Sequence, residues 1–394
     1  MPDENLLGFL APLEDSTHRS IQEIVSEALQ HQTNGTTLAE AAGRAKQTAI
    51  AYNGKSAACV SVAYLLTKQL LERGIQNVHL LEAAPDPTQP SSVQAPIENG
   101  VELRPSPTKH DVKTSSVVKV GQLEDGSEIL VNERFANADM RCVVANVVIS
   151  PFWGYSGGPS FVVPGLASEK TLKACLAPSL KTERLPGVLS GNPTHEVLLR
   201  ASQTTRVDFA IHIVEHTDRK VAGAFAGDFM ETFEQACALA AKMFRPPVRR
   251  KADIVISSAG GNPLDRSLFE VSPSAVMAGD LCKDHGTIIL VAECSGGIGA
   301  FPLAGLAAPE AKARLVHVRR LFSLEMLLEH SFRKISGEHR TYLVSTLPEH
   351  QASLYDLLDA KSVRSALERA IRHAGKDATI ALVPYGSHTA PITA

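Results

Sequence analysis

The sequence has no C-x-x-C pair, no excess of either charge and no unbroken apolar run long enough to cross a bilayer. Its six cysteines, Cys59, Cys142, Cys175, Cys237, Cys282 and Cys294, stand singly in 394 residues. A chain of this length needs no disulfide staples, so they read as buried thiols of a reducing compartment. Lys+Arg number 39 and Asp+Glu 42, a net charge of −3, which argues against nucleic-acid binding through bulk charge. The most apolar stretch, Thr287 to Ala308, carries Glu293 and several glycines. It reads as strand, loop and helix, with no membrane span. The first residues, Met1-Pro2-Asp3-Glu4-Asn5, are acidic where a secretory signal is basic. These features together predict a soluble, cytoplasmic protein with neither nucleic acid nor membrane as partner. They leave the oligomeric state open.

What is present is an ordinary globular composition, 44% hydrophobic and 21% charged, long enough for two domains. Residues 16–31 have helical periodicity, and Thr37 with Glu40 fits a capping box opening a second helix. A strand over Thr48–Tyr52, the loop Asn53-Gly54-Lys55-Ser56, a helix over 57–73 ending at Gly74 and a strand over 78–81 form a β-loop-α-β unit, hence a parallel pair. Pro85, Pro87, Pro90, Pro96, Pro105 and Pro107 mark residues 85–115 as an irregular Pro/Ser-rich segment. Val207–Glu215 and Lys220–Phe225 around Thr217-Asp218-Arg219 read as a hairpin, followed by a helix over 228–244. Arg245-Pro246-Pro247-Val248-Arg249-Arg250-Lys251 reads as a stiff linker. Beyond it come strands over 253–257 and 287–292 and helices over about 309–336 and 362–374. The expected organisation is an N-terminal α/β domain over 1–247 and a C-terminal α/β domain over 248–376. The segment 377–394 is expected to return a terminal strand to the first domain.

Several local patterns carry possible chemistry. Gly54-Lys55-Ser56 lies between strand and helix like the end of a phosphate-binding loop, but Ala49 stands where that loop needs glycine. Two readings remain: an anion held at the helix N-terminus with Lys55 beside it, or a turn with a solvated lysine. His212 and His216 are four apart on a strand. At ~3.3 Å per residue they stand ~13 Å apart, too far to share one ion. Gly157 and Gly158 follow an apolar strand, where glycine lets backbone approach a ligand or makes a tight turn. Gly191-Asn192-Pro193-Thr194-His195 sets a histidine at a helix start, as a ligand or a surface residue. Gly260-Gly261-Asn262-Pro263-Leu264-Asp265 follows a strand end, the position where open α/β sheets hold ligands. The alternative there is a turn capped by Asp265.

An ordered series of these stretches resembles the nickel-dependent lactate racemase family. It comprises Val120-Gly121-Gln122-Leu123, Gly154-Tyr155-Ser156-Gly157-Gly158, Val163-Pro164-Gly165-Leu166-Ala167-Ser168, Gly191-Asn192-Pro193-Thr194-His195, Gly223-Ala224-Phe225-Ala226-Gly227-Asp228, Gly260-Gly261-Asn262-Pro263-Leu264-Asp265 and Gly286-Thr287-Ile288-Ile289. The resemblance is firm from about Val117 to Ala300. It implies two α/β domains with an interdomain cleft, a 2-hydroxy acid racemase or epimerase activity, and a nickel pincer nucleotide as cofactor. By the same resemblance His195 is the nickel ligand, and Gly157, Gly158, Asn192, Gly260, Gly261 and Asp265 contact the cofactor.

Other slots of the family pattern are filled differently. Asn53-Gly54-Lys55-Ser56-Ala57 replaces a segment with a carboxylate-binding arginine, leaving Lys55 as the cation, a point charge without a bidentate fork. Asp86 stands in the slot of the first general base and Ser150 in that of the second. Ser160 takes the place of a cofactor-tethering lysine, and Glu270 and Pro273 fall near an expected glutamine and lysine. The resemblance therefore implies a divergent racemase-like enzyme. The alternative is a noncatalytic relative that binds a small anionic ligand, a nucleotide or a protein partner.

Overall fold

The computed structural model describes residues 5–13, 19–32, 36–43, 45–84, 86, 106–182, 184–302, 316 and 322–393. Pro85 and residues 87–105 of the proline-rich segment lie outside these described residues, as do most of residues 303–321, where a helix was expected to start. By contacts the chain divides into two units, Glu14–Ala241 and a second made of Met1–Leu13 with Lys242–Ala394.

The chain opens with strand β1 (Leu6–Phe9), then helices α1 (Ile21–Gln30) and α2 (Leu38–Ala42). Both helices start in capping boxes, Ser20 with Glu23 and Thr37 with Glu40, in which side chains satisfy amide groups that have no partner inside the helix. Next come β2 (Gln47–Tyr52), α3 (Ala57–Glu72), β3 (Asn77–Glu82) and β4 (Thr108–Lys109). Ser56 caps α3 by accepting from Cys59 N, and the helix stops before Gly74 at φ 88°. A hairpin, β5 (Val117–Gln122) and β6 (Glu128–Asn132), precedes β7 (Met140–Asn146). A small hairpin, β8 (Val148–Ser150) and β9 (Gly154–Ser156), follows it. A long hairpin, β10 (Phe209–Glu215) and β11 (Val221–Gly227), leads to the helix Phe229–Phe244.

In the first unit the sheet order is β11-β10-β7-β2-β3-β4, parallel except for β11. Ile50, Val144 and Ile211 of its central strands pack with Ile24 and Val25 of α1 and Val62, Leu66 and Leu70 of α3 in one apolar core. From β2 the chain runs outward through β3 to one side, then returns to place β7 on the other side of β2. The order therefore reverses between β2 and β7. A crevice at such a reversal is where open α/β sheets bind ligands.

The second unit holds β12 (Pro247–Val248), β13 (Ala252–Ser258), β14 (Cys282–Val291), β15 (Arg340–Val344), β16 (Leu358–Asp359), β17 (Ile380–Val383) and β18 (Ile392–Thr393). Its sheet is parallel throughout, in the order β1-β17-β13-β14-β15-β16. Asp253 fastens the strand starts: it accepts from Thr379 Oγ1 at 2.6 Å, from Thr379 N at 2.9 Å and from Lys283 Nζ at 2.8 Å.

This arrangement corrects the expected path of both chain ends. The terminal strand does not return to the first domain. Ile380 and Ala381 are fully buried, and β17 lies between β1 and β13 inside the second sheet, where a run apolar on both faces belongs. β1, expected with the first domain, pairs along the outer edge of β17 (Leu6 with Ile380, Phe9 with Leu382). It satisfies backbone groups that an edge would leave open.

Candidate functional site

The first unit gathers polar side chains at the carboxyl ends of β2, β7 and β10. Asn53 follows β2, Asn146 ends β7 and Glu215 ends β10. Asn53 Nδ2 donates to Asn146 Oδ1 at 2.5 Å, and Asn146 Nδ2 donates to Glu215 Oε2 at 3.3 Å. Glu215 Oε1 accepts from the Ser56 hydroxyl at 3.0 Å, and Asn53 Oδ1 accepts from Lys55 N at 2.9 Å. Burial pushes the Glu215 carboxyl up to about 7, against the opposing pull of Ser56, Arg219 and Asn146. No spacing motif announces Asn146 or Glu215. Their only sequence signal is a polar residue directly after an apolar strand.

Lys55 and Asp86 come together: Lys55 Nζ donates to the Asp86 carbonyl at 3.1 Å. The Asp86 carboxylate accepts from Ser156 Oγ at 2.6 Å, and Ser156 Oγ accepts from Trp153 Nε1 at 3.1 Å. Because the indole can only donate, the serine proton is left to point at Asp86. Gly54 lies against Glu82 at the end of β3, where an added Cβ would collide with the carboxylate.

The glycine turn is tight for two reasons. Gly157 has φ 105°, and a Cβ there would stand 2.5 Å from the Asn146 carbonyl. At Gly158 it would stand 2.5 Å from the Phe233 ring. Phe233 in turn stacks on His195, with centroids 6.4 Å apart. His195 lies in the first turn of the helix Pro193–Gln203, whose N-cap Asn192 accepts from Thr194 N and His195 N. Asn192 Nδ2 reaches back to the carbonyls of Phe152 and Val188, so the helix carrying His195 is tied to the segment carrying Ser156. His195 is 7% exposed, and burial lowers its pKa; the neutral imidazole is the form present at neutral pH.

Other sequence candidates, and one further histidine, are buried. Ser150 is fully buried, and its Oγ accepts from Phe152 N at 3.3 Å. Ser160 is 8% exposed in the short helix after the glycine pair. His212 is fully buried between Thr232, at 2.8 Å from Nδ1, and the Gly157 carbonyl, at 3.1 Å from Nε2. Burial holds its pKa down to about 4, so the neutral ring donates from Nε2 to Gly157 O and meets the Thr232 hydroxyl at Nδ1. His110 divides its ring nitrogens between the Ala167 carbonyl and Asn132. Among the described residues no group of three or more His, Cys, Asp or Glu is placed to hold a metal, and no helix is long and apolar enough to cross a membrane. All six cysteines are free and buried.

In the second unit the order reverses between β13 and β17, and Gly260-Gly261 follows β13. Both glycines have positive φ, 110° and 85°. A Cβ at Gly260 would press on Tyr385, whereas Gly261 has nothing within 4 Å. The helix that follows is capped by Ser267, which accepts from Glu270 N, and not by Asp265. The Asp265 main-chain carbonyl accepts from Cys294 N at 2.8 Å, while its Oδ1 is buried without a hydrogen-bond partner. Such an atom calls for a polar ligand or water. Glu270 accepts from the Ser267 hydroxyl at the start of the helix Leu268–Leu281, and Pro273 is buried inside that helix.

The family profiles for the lactate racemase N-terminal domain and the lactate racemase C-terminal domain match residues 1–180 and 248–389. The lactate racemase of Lactiplantibacillus plantarum is 30% identical over 286 residues, covering 69% of this chain and 66% of that protein. That of Thermoanaerobacterium thermosaccharolyticum is 33% identical over 196 residues, covering 48% of this chain and 45% of that protein. The matches thus span just under two thirds and about half of those curated relatives. In overall fold the chain is similar to the lactate racemase apoprotein structure from Thermoanaerobacterium thermosaccharolyticum. The TM-score is 0.83 at 23% identity, covering 100% of this chain and 96% of the other. It also resembles a Thermotoga maritima protein, with TM-score 0.65 at 15% identity, covering 97% and 100%.

Proposed function

We infer function from one premise, that this chain belongs to the lactate racemase family. On that premise we propose that it binds a small 2-hydroxy acid and racemises or epimerises it with a nickel pincer nucleotide. The observation that carries this reading is His195, a nearly buried imidazole that desolvation keeps neutral, on a helix tied at Phe152 to the segment leading into the double-glycine turn. A neutral imidazole nitrogen is what a nickel ion takes. Since no protein cluster of three ligands exists among the described residues, His195 would be the protein ligand and the pincer atoms would supply the rest. By the family's chemistry such a cofactor, when bound, would supply a hydride acceptor and donor for the hydroxyl-bearing carbon.

The chain's own residues then have separable tasks. Lys55 offers a cation to the substrate carboxylate. Asp86, oriented through Ser156 and Trp153, is the carboxylate for the hydroxyl proton. Ser150 and Ser160 offer neither a base nor an amine, so proton handling is one-sided and the cofactor is held noncovalently. Free buried thiols fit a reducing cytoplasm.

A second reading, a noncatalytic relative that binds an anionic ligand, is favoured by Ser150, whose buried hydroxyl is already engaged. Co-expression with the family's cofactor-synthesis enzymes, followed by metal analysis and intact mass, separates the two. Nickel and a nucleotide-sized ligand in the wild type, both lost in His195→Ala, support the enzyme, and assays with single enantiomers of lactate and other 2-hydroxy acids follow. Absence of nickel from the wild type sinks the enzyme reading and leaves the anion-binding one.

A further inference from the structure

Glu215 belongs to no motif, yet it closes a chain of directed hydrogen bonds. When ionised, above pH ~7, the Glu215 carboxylate only accepts, so the Asn146 group facing Glu215 Oε2 is its NH2, and Asn146 Oδ1 must face Asn53. Asn53 therefore presents its NH2 to Asn146 and its Oδ1 to Lys55 N. The other carboxylate oxygen takes the Ser56 proton, leaving the Ser56 lone pairs to accept from Cys59 N and cap α3. One carboxyl group thus sets the orientation of two asparagine amides and one hydroxyl. Through them it fixes the Asn53–Ser56 loop at the strand-order reversal, while Glu82 backs the same loop at Gly54. Burying this carboxyl costs desolvation, which its hydrogen bonds from Ser56 and Asn146 offset.

We propose that Glu215 is the positioning residue of this site, acting through Asn146, Asn53 and Ser56 to hold Lys55 against Asp86. Only the substrate role of Lys55 rests on the function proposed above; the positioning itself does not.

The test compares Glu215→Leu and Glu215→Gln in the full chain. Glutamine can point its NH2 at Ser56 and its oxygen at Asn146, which keeps the relay; leucine breaks it. Hydrogen exchange at the Lys55 amide, read by mass spectrometry with residue-level fragmentation, should quicken at least ~10-fold in Glu215→Leu. It should stay within ~3-fold of wild type in Glu215→Gln, with the amides of β13 and β14 exchanging as in wild type in both variants. Unchanged exchange in Glu215→Leu, or equal loosening in both variants, overturns the proposal. If Glu215→Leu does not fold, Asn146→Leu cuts the relay one link further on, and unchanged exchange there overturns it equally. Lactate affinity is the second arm. Glu215→Leu should weaken it in the wild-type background and not in Lys55→Ala; an equal loss in both overturns action through Lys55. A wild type that binds no lactate removes the functional reading, while the exchange result still decides the positioning.

Discussion

Ser156 and Asp86 stand 70 positions apart in the chain, and the serine hydroxyl donates to the aspartate carboxylate across 2.6 Å. The bond is directed because Trp153 Nε1 already occupies the serine oxygen as a donor. Ser156→Ala strips an acceptor from an indole that is 1% exposed, leaving its N–H unsatisfied. The expected cost is about 1–3 kcal/mol in urea denaturation. Trp153 is the single tryptophan, so its fluorescence should shift in the native state as well.

Gly158→Ala should be more damaging than its size implies. The new methyl meets the Phe233 ring at 2.5 Å, and Phe233 is fully buried and stacks on His195. A loss of about 1–3 kcal/mol is expected, with lowered nickel retention in cofactor-loaded protein. Gly337→Ala is the matched control. It lies in the helix Leu324–Glu338 with nothing within 4 Å of an added Cβ. It should raise stability by about 0.5–1 kcal/mol. A Gly158→Ala protein as stable as wild type would refute the packing argument.

Glu215 makes stability fall as pH rises. Its folded pKa of about 7 lies above the usual unfolded value of about 4.3. The folded state therefore holds its proton where the unfolded chain has lost it. Its favourable contribution is complete below pH ~4 and lost by the time pH passes ~7. Ser56, Asn146, Arg219 and Cys59 are the groups whose interactions with it are resolved. Glu215→Gln should match wild type at pH 4–5 and exceed it at pH 8 by about 1–3 kcal/mol. Equal pH dependence in the two proteins would contradict this.

Asp253 works in the opposite direction. Burial alone would raise its pKa, but bonds from Lys283 and Thr379 outweigh burial and bring it to about 2, below the unfolded value of about 3.9. The stability it contributes is present above pH ~4 and is lost as pH falls through ~2. Asp253→Asn should cost about 1–2 kcal/mol at pH 7, discounted for the partly exposed lysine. The cost should shrink toward pH 2 in thermal melts. A cost that is constant with pH would assign it to lost hydrogen bonds alone.

Local signals in the sequence were strong wherever a residue type is forced by backbone geometry. The Thr37–Glu40 capping box, the stop at Gly74 and the 209–227 hairpin are all readable from side-chain chemistry and periodicity. The pairing of distant edges was not readable. Which side of β13 receives Ile380–Val383, and that Leu6–Phe9 covers it, depends on parallel contacts that leave no local pattern. In the first unit, glycines and prolines marked the turn bearing Gly157 and the helix bearing His195. The Asn53–Asn146–Glu215 relay escaped notice because its members come from three separate strands. Each alone is a polar residue at a strand end.

The pairing of Leu6 with Ile380 puts the first strand and the last long strand of the chain side by side. During synthesis at the usual 5–20 residues per second, the partner of Leu6 leaves the ribosome roughly 20–80 s after Leu6 itself. Through that interval Leu6–Phe9 lacks its partner strand, while the described strands of the Glu14–Ala241 unit all emerge before it ends. Nascent chains should therefore pass through a stage in which the middle of the protein is complete and its opening segment is still open to chaperones and proteases.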